Sequence, residues 1–252
     1  MALSKNAIKF IQALNLKKYR QKYNKFIVEG EKMVLELLNR DVFSIYQLYG
    51  LPDWIEAHHQ KLTIIQERLV EVDISELKKI SALSTPNKVL AIVELPEAPI
   101  HYESIGSGLS LYLDNIQDPG NMGTLLRLAD WFGIKHVLCS PDCVDRYNPK
   151  VIQASMGAIF YIAHPAIALE ELVQQLPELP VWGTFLDGEN IFQLEAPTRG
   201  IIVLGNEGNG ISAQNHPFIQ HKLTIPAAPG HQSESLNVAV AAGILCAWLR
   251  SG

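Results

Sequence analysis

The sequence predicts an α/β protein with two domains, and three observations support this prediction. Apolar segments of strand length alternate with segments of helical periodicity along most of the chain. A stretch rich in Pro and Gly and poor in apolar residues separates two such series near residues 95–108. The chain has 252 residues, of which 48% are apolar, and this is enough for two hydrophobic cores. We therefore predict a first domain over residues 1–95, a linker over 96–108 and a second domain over 109–252.

The composition excludes several classes of protein. Charged residues make up 19% of the chain and the mean hydropathy is +0.08, which is typical of a globular protein. The sequence has no run of about 18 apolar residues, and its N-terminal lysines are not followed by an apolar signal core, so we expect a cytoplasmic protein without a membrane span. Three irregularly spaced cysteines argue against a disulfide framework and against a metal site. We expect them as buried thiols: Cys139, Cys143 and Cys246.

Charge is unevenly distributed along the chain. The net charge of −5 is unfavourable for contact with phosphates, and residues 109–252 hold 7 Lys and Arg against 13 Asp and Glu. The first 33 residues hold 8 basic against 2 acidic residues. A phosphate-binding surface is therefore more compatible with the N-terminal segment than with the acidic second domain.

The first domain begins with a predicted amphipathic helix over residues 4–17. Ile8, Ile11 and Leu14 recur near helical spacing, and Ser4 is placed to cap the helix. The later segments alternate between helix and strand. We predict helices over 31–39, 52–60 and 75–82, and strands over 44–49, 67–72 and 89–94.

A basic stretch follows the first helix, with Tyr19 and Tyr23 among its charged residues. Two interpretations stay open. The stretch is a solvated helix end and loop, or it contacts phosphates while the tyrosine rings stack on bases. Under the second interpretation the nucleic-acid-binding residues are Lys18, Arg20, Lys22 and Lys25.

The second domain is predicted to hold a mostly parallel sheet covered on both faces, because strands and helices alternate throughout it. A strand over 109–113 is followed by a polar loop as far as Gly123, and then by a helix that carries Arg127 in its first turns, away from the apolar stripe. We predict further strands over 137–139 and 181–185, and helices over 149–159 and 169–175.

Residues 201–249 have the features of a small-molecule site. The strand 201–204 is apolar throughout and ends in the glycine-rich loop 205–210, and a strand over 222–226 ends in the loop 227–233. Loops at the carboxyl ends of parallel strands bind ligands. The glycine spacing matches neither the dinucleotide fingerprint nor the P-loop. From Leu236 an apolar helix is expected, capped by Ser233 or Ser235 and buried in a core or against a second subunit.

Three strings in the second domain resemble the motifs of a known enzyme family. The first motif corresponds to residues 114–127 (DNIQDPGNMGTLLR), the second to 204–208 (LGNEG), and the third to Ile225-Pro226 and 235–239 (SLNVA). In this order they resemble the SpoU (TrmH-type) RNA 2′-O-ribose methyltransferases of the SPOUT superfamily, over about the last 145 residues. The resemblance implies a C-terminal trefoil knot, a rare exception to unknotted topology. Residues 18–30 are similar to the small L30e-related substrate-binding domain that precedes many such catalytic domains.

The resemblance implies S-adenosylmethionine as the cofactor, structured rRNA or tRNA as the substrate, and a homodimer with each site at a subunit boundary. It assigns the catalytic role to Arg127. A guanidinium is a poor base because it stays protonated, so we favour a role in hydrogen bonding to the 2′-oxygen and the adjacent phosphate. The alternative is a surface arginine paired with Asp130. The other implied catalytic residues are Asn121, Glu207, Ser235 and Asn237.

The resemblance also implies a cofactor pocket formed by main chain and by apolar side chains. Ala227 stands where the family usually has Met, which shortens one wall of this pocket. A non-catalytic RNA-binding or ribosome-assembly factor with the same fold is the alternative function. The implied cofactor-binding residues are Thr184, Leu204, Gly205, Ile225, Pro226, Ser235 and Leu236.

Overall fold

The structure is a computed structural model that describes residues 3–40, 42–97 and 99–251. It divides into two compact units. The first unit comprises the described residues up to Glu97 together with Tyr147–Phe160, and the second comprises the remaining described residues. None of the helices within these ranges has the length and apolar composition needed to cross a membrane.

The segment Tyr147–Phe160 was predicted as part of the second domain, yet it packs within the first unit. The ring of Tyr147 lies 4.7 Å from the ring of Phe26. Gln153 Nε2 donates to the carbonyl of Glu29 at 2.9 Å. These contacts are made by residues far apart in sequence, so no local pattern indicates them.

The helices and strands follow one another in short alternation. The α-helices are α1 (Lys5–Ala13), α2 (Lys17–Tyr23), α3 (Glu31–Leu38), α4 (Pro52–Ala57), α5 (His59–Leu62), α6 (Ile74–Ile80), α7 (Tyr102–Gly106), α8 (Pro119–Trp131), α9 (Pro149–Ser155), α10 (Leu169–Gln175) and α11 (Val238–Leu249). Short 3-10 helices span Thr63–Arg68, Ala158–Phe160, Ile191–Gln193 and Ala213–Phe218. The strands are β1 (Lys25–Glu29), β2 (Ile45–Gly50), β3 (Leu69–Glu71), β4 (Val89–Glu94), β5 (Leu109–Leu113), β6 (His136–Cys139), β7 (Val181–Asn190), β8 (Gly200–Leu204) and β9 (His221–Thr224).

The first unit is built on a four-stranded sheet of order β1-β4-β2-β3. β4 runs antiparallel to β1 and β2, whereas β3 runs parallel to β2. The amphipathic first helix and its Ser4 cap are confirmed, since Ile11 and Leu14 are buried and Ser4 Oγ accepts the N–H of Ala7 at 3.1 Å. The helix ends at Ala13, however, four residues before its predicted limit. The hydrophobic core of this unit therefore begins at its N-terminal helix.

The second unit is built on a five-stranded, wholly parallel sheet of order β6-β5-β8-β7-β9. β8 lies between β5 and β7, and all five of its residues are buried. The predicted parallel sheet and the fully buried strand 201–204 are therefore confirmed. Because all strands point the same way, their carboxyl ends share one edge of the sheet.

The predicted starts of two helices in this unit are wrong. The predicted polar loop through Gly123 is helical, because α8 begins at Pro119, whose fixed φ suits a first helical position. The Asp118 carboxylate caps α8 by accepting the N–H of Asn121 at 2.8 Å. The last helix is capped by Asn237 rather than by a serine, so Leu236 precedes the helix.

The predicted burial of the cysteines is confirmed, since all three are free and buried. A hydrogen bond with Cys139 lowers the pKa of Cys143 to about 7. Burial raises the pKa of Cys246 to about 11. The described residues contain no group of three or more His, Cys, Asp and Glu side chains able to hold a metal ion.

Candidate functional site

A cavity of about 560 Å³ opens at the carboxyl edge of the parallel sheet, a volume typical of small-molecule sites. Its walls include residues at the carboxyl ends of β8 and β9 and the segment that leads into α11. Pro226, which was predicted to bind the cofactor, does not line the cavity and is exposed. The other predicted cofactor residues do line it: Thr184, Leu204, Gly205, Ile225, Ser235 and Leu236.

An irregularity in β7 forms one wall of the cavity. The pairing of β7 with β9 shifts register between Thr184 and Glu189, so the intervening residues leave the ladder. Phe185, Leu186 and Asp187 line the cavity as a result. The sequence prediction ended this strand at residue 185 and therefore missed this wall.

The glycine-rich loop after β8 is held closed by its own main chain. The amide and carbonyl of Asn206 both pair with Gly210, each at 2.9 Å. A Cβ atom on Gly205 would lie 2.6 Å from the carbonyl oxygen of Gly210, so only glycine fits here. The loop is thus shaped before any ligand arrives.

Asn206 is a structural residue of this loop that the sequence prediction did not single out. Its Oδ1 accepts the N–H groups of Gly208 and Asn209 at 2.9 and 3.1 Å. Its Nδ2 donates to the carbonyl of Asn115 at 2.9 Å, which ties the second motif to the first. The sequence feature that could have indicated this role is the tendency of Asn to close turns by hydrogen bonding through its side chain.

Asp114 secures the far end of the same loop. This carboxylate is buried and accepts the N–H and the hydroxyl of Ser212 at 2.7 and 3.1 Å. The amide of Asp114 continues the sheet by donating to Leu204 at 2.9 Å. Asp114, the first residue of the first motif, therefore supports the glycine-rich loop that carries the second motif.

Side-chain amides join the three motifs. Asn121 Nδ2 donates to Glu207 Oε1 at 2.6 Å, and Asn237 Nδ2 donates to Asn121 Oδ1 at 3.1 Å. Because Asn237 Oδ1 accepts from the first turn of α11, its amino group must point to Asn121. Asn121 then has only its own amino group left for Glu207. We call Asn237, Asn121 and Glu207 the amide relay.

Within the described part of this chain, Arg127 does not line the cavity and makes no hydrogen bond to the relay. Its side chain is exposed on α8 and does not line the cavity. Among the described residues it makes no hydrogen bond or ion pair, so the alternative pairing with Asp130 is absent from the structure. Ser235 lines the cavity with a hydroxyl that makes no hydrogen bond within the described part of the chain.

The cavity suits an adenosine-like ligand. Leu204, Ile225 and Leu236 supply apolar surface for a flat ring, and the main chain around Gly205 supplies hydrogen-bonding groups. Glu207 also lines the cavity, so the relay ends at the ligand space.

The predicted basic residues differ in accessibility. Lys18 and Lys22 are exposed on α2, whereas Lys25 is half-buried with its Nζ 3.8 Å from Glu94. Arg20 is buried and donates to the carbonyl of Leu14 at 2.8 Å. The prediction that Arg20 contacts phosphate is therefore corrected, because its guanidinium is used inside the fold.

The fold and the site together define a class of protein: an α/β enzyme with a small-molecule cavity at the carboxyl edge of a parallel sheet. Within this class the chain belongs to the SpoU rRNA methylase family, whose model matches residues 108–247. Residues 5–91 match the model of the MRM3-like substrate binding domain. The predicted family is confirmed.

Similar proteins cover nearly the whole chain. The 23S rRNA (guanosine(2553)-2′-O)-methyltransferase RlmP of Bacillus subtilis is 31% identical, over 96% of this chain and 95% of the relative. A TrmH-family RNA methyltransferase structure from Porphyromonas gingivalis is 39% identical over the full length of both chains, with a TM-score of 0.88. An AdoMet-bound rRNA methyltransferase from Sinorhizobium meliloti is 25% identical with a TM-score of 0.88, over 100% of this chain and 96% of that structure.

Proposed function

We propose that this protein methylates a ribose 2′-hydroxyl of ribosomal RNA with S-adenosylmethionine as the methyl donor. The observation that carries the proposal is the amide relay, because it connects the three family motifs and ends at Glu207 in the wall of the cavity. Family membership and the named activity of the Bacillus relative support the same reaction and favour large-subunit rRNA over tRNA.

When bound, S-adenosylmethionine supplies an electrophilic methyl group. The main chain of the glycine-rich loop would hold the adenosine portion, and the side chains of Leu204 and Leu236, which line the cavity, would pack against its ring. Arg127 donates hydrogen bonds to the 2′-oxygen and the adjacent phosphate. Its fixed positive charge stabilises the negative charge that develops on the oxygen as the hydroxyl proton leaves to solvent.

We propose that the active site is completed by a second copy of the chain. Among the described residues of its own chain, Arg127 does not line the cavity and makes no hydrogen bond to the relay, which supports a partner's cavity as its place of action. The exposed apolar side chains of Trp131 on α8 and Val240 on α11 supply surface for such a contact.

Complementation tests this arrangement. Arg127→Ala and Gly205→Ala variants are each expected to have little activity as homodimers when the S-adenosylmethionine concentration is well below that needed to saturate the Gly205→Ala variant. If Arg127 acts on the partner's cavity, a refolded mixture contains heterodimers with one intact site and regains a substantial part of the activity. If a mixture shown to contain heterodimers regains no activity, Arg127 and the cavity of each active site belong to the same chain.

The reaction itself is tested by calorimetry and by mapping of modified RNA. Titration with S-adenosylmethionine and S-adenosylhomocysteine is expected to give saturable binding, and NAD is expected to give none. Ribose methylation mapped in rRNA and tRNA, from cells with and without the gene, then identifies the nucleotide. A folded protein that binds neither adenosyl compound supports instead a non-catalytic RNA-binding factor.

Two further properties stay proposals that the family resemblance supports. One is the trefoil knot in the C-terminal segment, and the other is a cytoplasmic location, where ribosomal RNA is available.

A further inference from the structure

Four aromatic rings in the first unit form a continuous line, which we call the aromatic row: Tyr19, Tyr23, Phe10 and Tyr46. Tyr19 and Tyr23 stack with their ring centroids 6.1 Å apart and an interplanar angle of 12°. Tyr23 meets Phe10 at 5.1 Å, and Phe10 meets Tyr46 at 6.3 Å, both edge to face. The row therefore joins residues from α1, α2 and β2.

Each tyrosine of the row has a lysine beside its ring. The Nζ atoms of Lys18 and Lys22 lie 4.8 and 5.5 Å from the ring centres of Tyr19 and Tyr23. Lys25 Nζ lies 4.3 Å from the ring centre of Tyr46. A positive charge thus stands next to each ring, within cation–π distance.

The exposure of Tyr46 is not explained by the hydrophobic core. Phe10 and Tyr23 pack against the core of the first unit, and this accounts for their place in the row. Tyr46 is outside that cluster and 46% exposed. It lies where the pairing of β2 with β4 shifts register, between Ile45 and Gln47. Such irregularities redirect a side chain from its regular face.

We propose that the aromatic row binds an unpaired segment of the substrate RNA, with bases stacked on its tyrosines, chiefly Tyr46, and phosphates held by Lys18, Lys22 and Lys25. Alternating rings and cations are the means by which proteins hold single strands without reading their sequence. This inference rests on the proposed function, because it describes how that RNA substrate is held.

Single-stranded RNA is favoured over a duplex for a physical reason. The bases of an A-form helix are stacked on one another, and their faces cannot reach a protein ring. The lysines alone would serve a duplex or a single strand equally, whereas the exposed part of the Tyr46 ring can stack only on a base that has left its own stack. The one acidic side chain that contacts these lysines among the described residues is Glu94, 3.8 Å from Lys25 Nζ.

The test compares Tyr46→Ala with Tyr46→Phe in the full-length protein. Fluorescence anisotropy measures binding to an unstructured single-stranded RNA and to a duplex of the same length. We expect Tyr46→Ala to weaken single-strand binding about five-fold or more and to leave duplex binding unchanged. Tyr46→Phe keeps the ring and is expected to bind like the wild type. Ile64→Ala is the matched control, because Ile64 is 93% exposed and outside the row.

Two results would overturn the inference. One is unchanged single-strand binding by Tyr46→Ala, and the other is an equal loss for single strand and duplex. A failure of the proposed function would look different, because the wild-type protein itself would then not bind S-adenosylmethionine or not methylate ribose. We expect Tyr46→Ala to raise the KM for RNA and to leave kcat and the affinity for the cofactor unchanged.

Discussion

The cavity of the second unit and the aromatic row of the first are built on opposite principles. The cavity is formed by main chain, apolar side chains and a few polar ones, among them the carboxylates of Asp187 and Glu207, in the part of the sequence where acidic residues outnumber basic ones. The row consists of half-exposed rings and lysine side chains in a segment with 8 basic residues among the first 33. The first arrangement is fixed by hydrogen bonds before a ligand binds, and the second depends on charges that project into solvent.

This difference assigns separate tasks to the two regions. Charges in a partly buried cavity are screened less by salt than exposed charges, so the affinity of the cavity for an adenosyl compound should depend only weakly on salt concentration. A surface that captures RNA displaces the counterions of its phosphates, so its affinity for RNA should depend strongly on salt concentration. Variants in either region are therefore expected to change one kind of binding and leave the other intact.

Arg127→Ala is expected to have the largest effect, because it removes the donor that stabilises charge on the 2′-oxygen. We predict a fall in kcat of about a hundred-fold to a thousand-fold, measured by methyl transfer at saturating RNA. Arg127→Lys keeps the charge and loses the planar fork, so it should restore only part of the rate. Cofactor affinity should stay at the wild-type value, because the proposed partners of Arg127 are the 2′-oxygen and the phosphate of the RNA and not the adenosyl group. A loss of cofactor binding by Arg127→Ala contradicts the separation of roles.

Gly205→Ala is expected to act on the cavity alone. Its Cβ would overlap the main chain at Gly210, so the loop must move and S-adenosylmethionine should bind about ten-fold more weakly or worse. Gly208→Ala is the matched control, because a Cβ there meets nothing closer than 3.6 Å. Calorimetry measures cofactor affinity, and anisotropy should show unchanged RNA binding. Equal behaviour of the two variants would show that the loop has no fixed shape.

Asn121→Asp tests the amide relay by pH. The substitution places a second carboxylate against Glu207 where an amide donates at 2.6 Å, and the lost hydrogen bond should lower activity about ten-fold near pH 8. Like-charge repulsion raises the pKa of the introduced carboxyl. Once protonated, this carboxyl donates again, so the ratio of variant to wild-type activity should rise as the pH falls from about 8 to about 6. A ratio independent of pH argues against the relay.

Much of the fold could be predicted from the sequence because it depends on local pattern. The strands 89–94 and 109–113 and the helix 169–175 have the predicted limits, since each is an apolar or periodic segment with clear ends. The start of α8 was mistaken because Pro-Gly resembles a turn. In this chain Asp118 precedes Pro119, and together they form a cap and a first helical residue.

The site was predictable where a motif specifies the main chain and unpredictable where the fold joins distant segments. Gly205 and Asn121 stand in recognisable strings. The burial of Arg20 depends on the carbonyl of Leu14, and its basic neighbours suggested an exposed patch instead. Tyr46 reaches the aromatic row from a strand more than twenty residues further along the chain, at an irregularity that no periodic pattern marks.

The smallest expected effect comes from Lys18→Gln combined with Lys22→Gln, and it appears in the salt dependence of RNA binding. Each lysine that neutralises a phosphate of a single strand contributes about 0.7 to the slope of log affinity against log salt concentration. The double variant should therefore reduce that slope by about 1.4 and leave cofactor affinity unchanged at every salt concentration. Lys78→Gln combined with Lys79→Gln is the charge-matched control on α6, where both side chains are exposed and lie off the row. If both pairs reduce the slope equally, RNA contacts the first unit through its overall charge and not through the aromatic row.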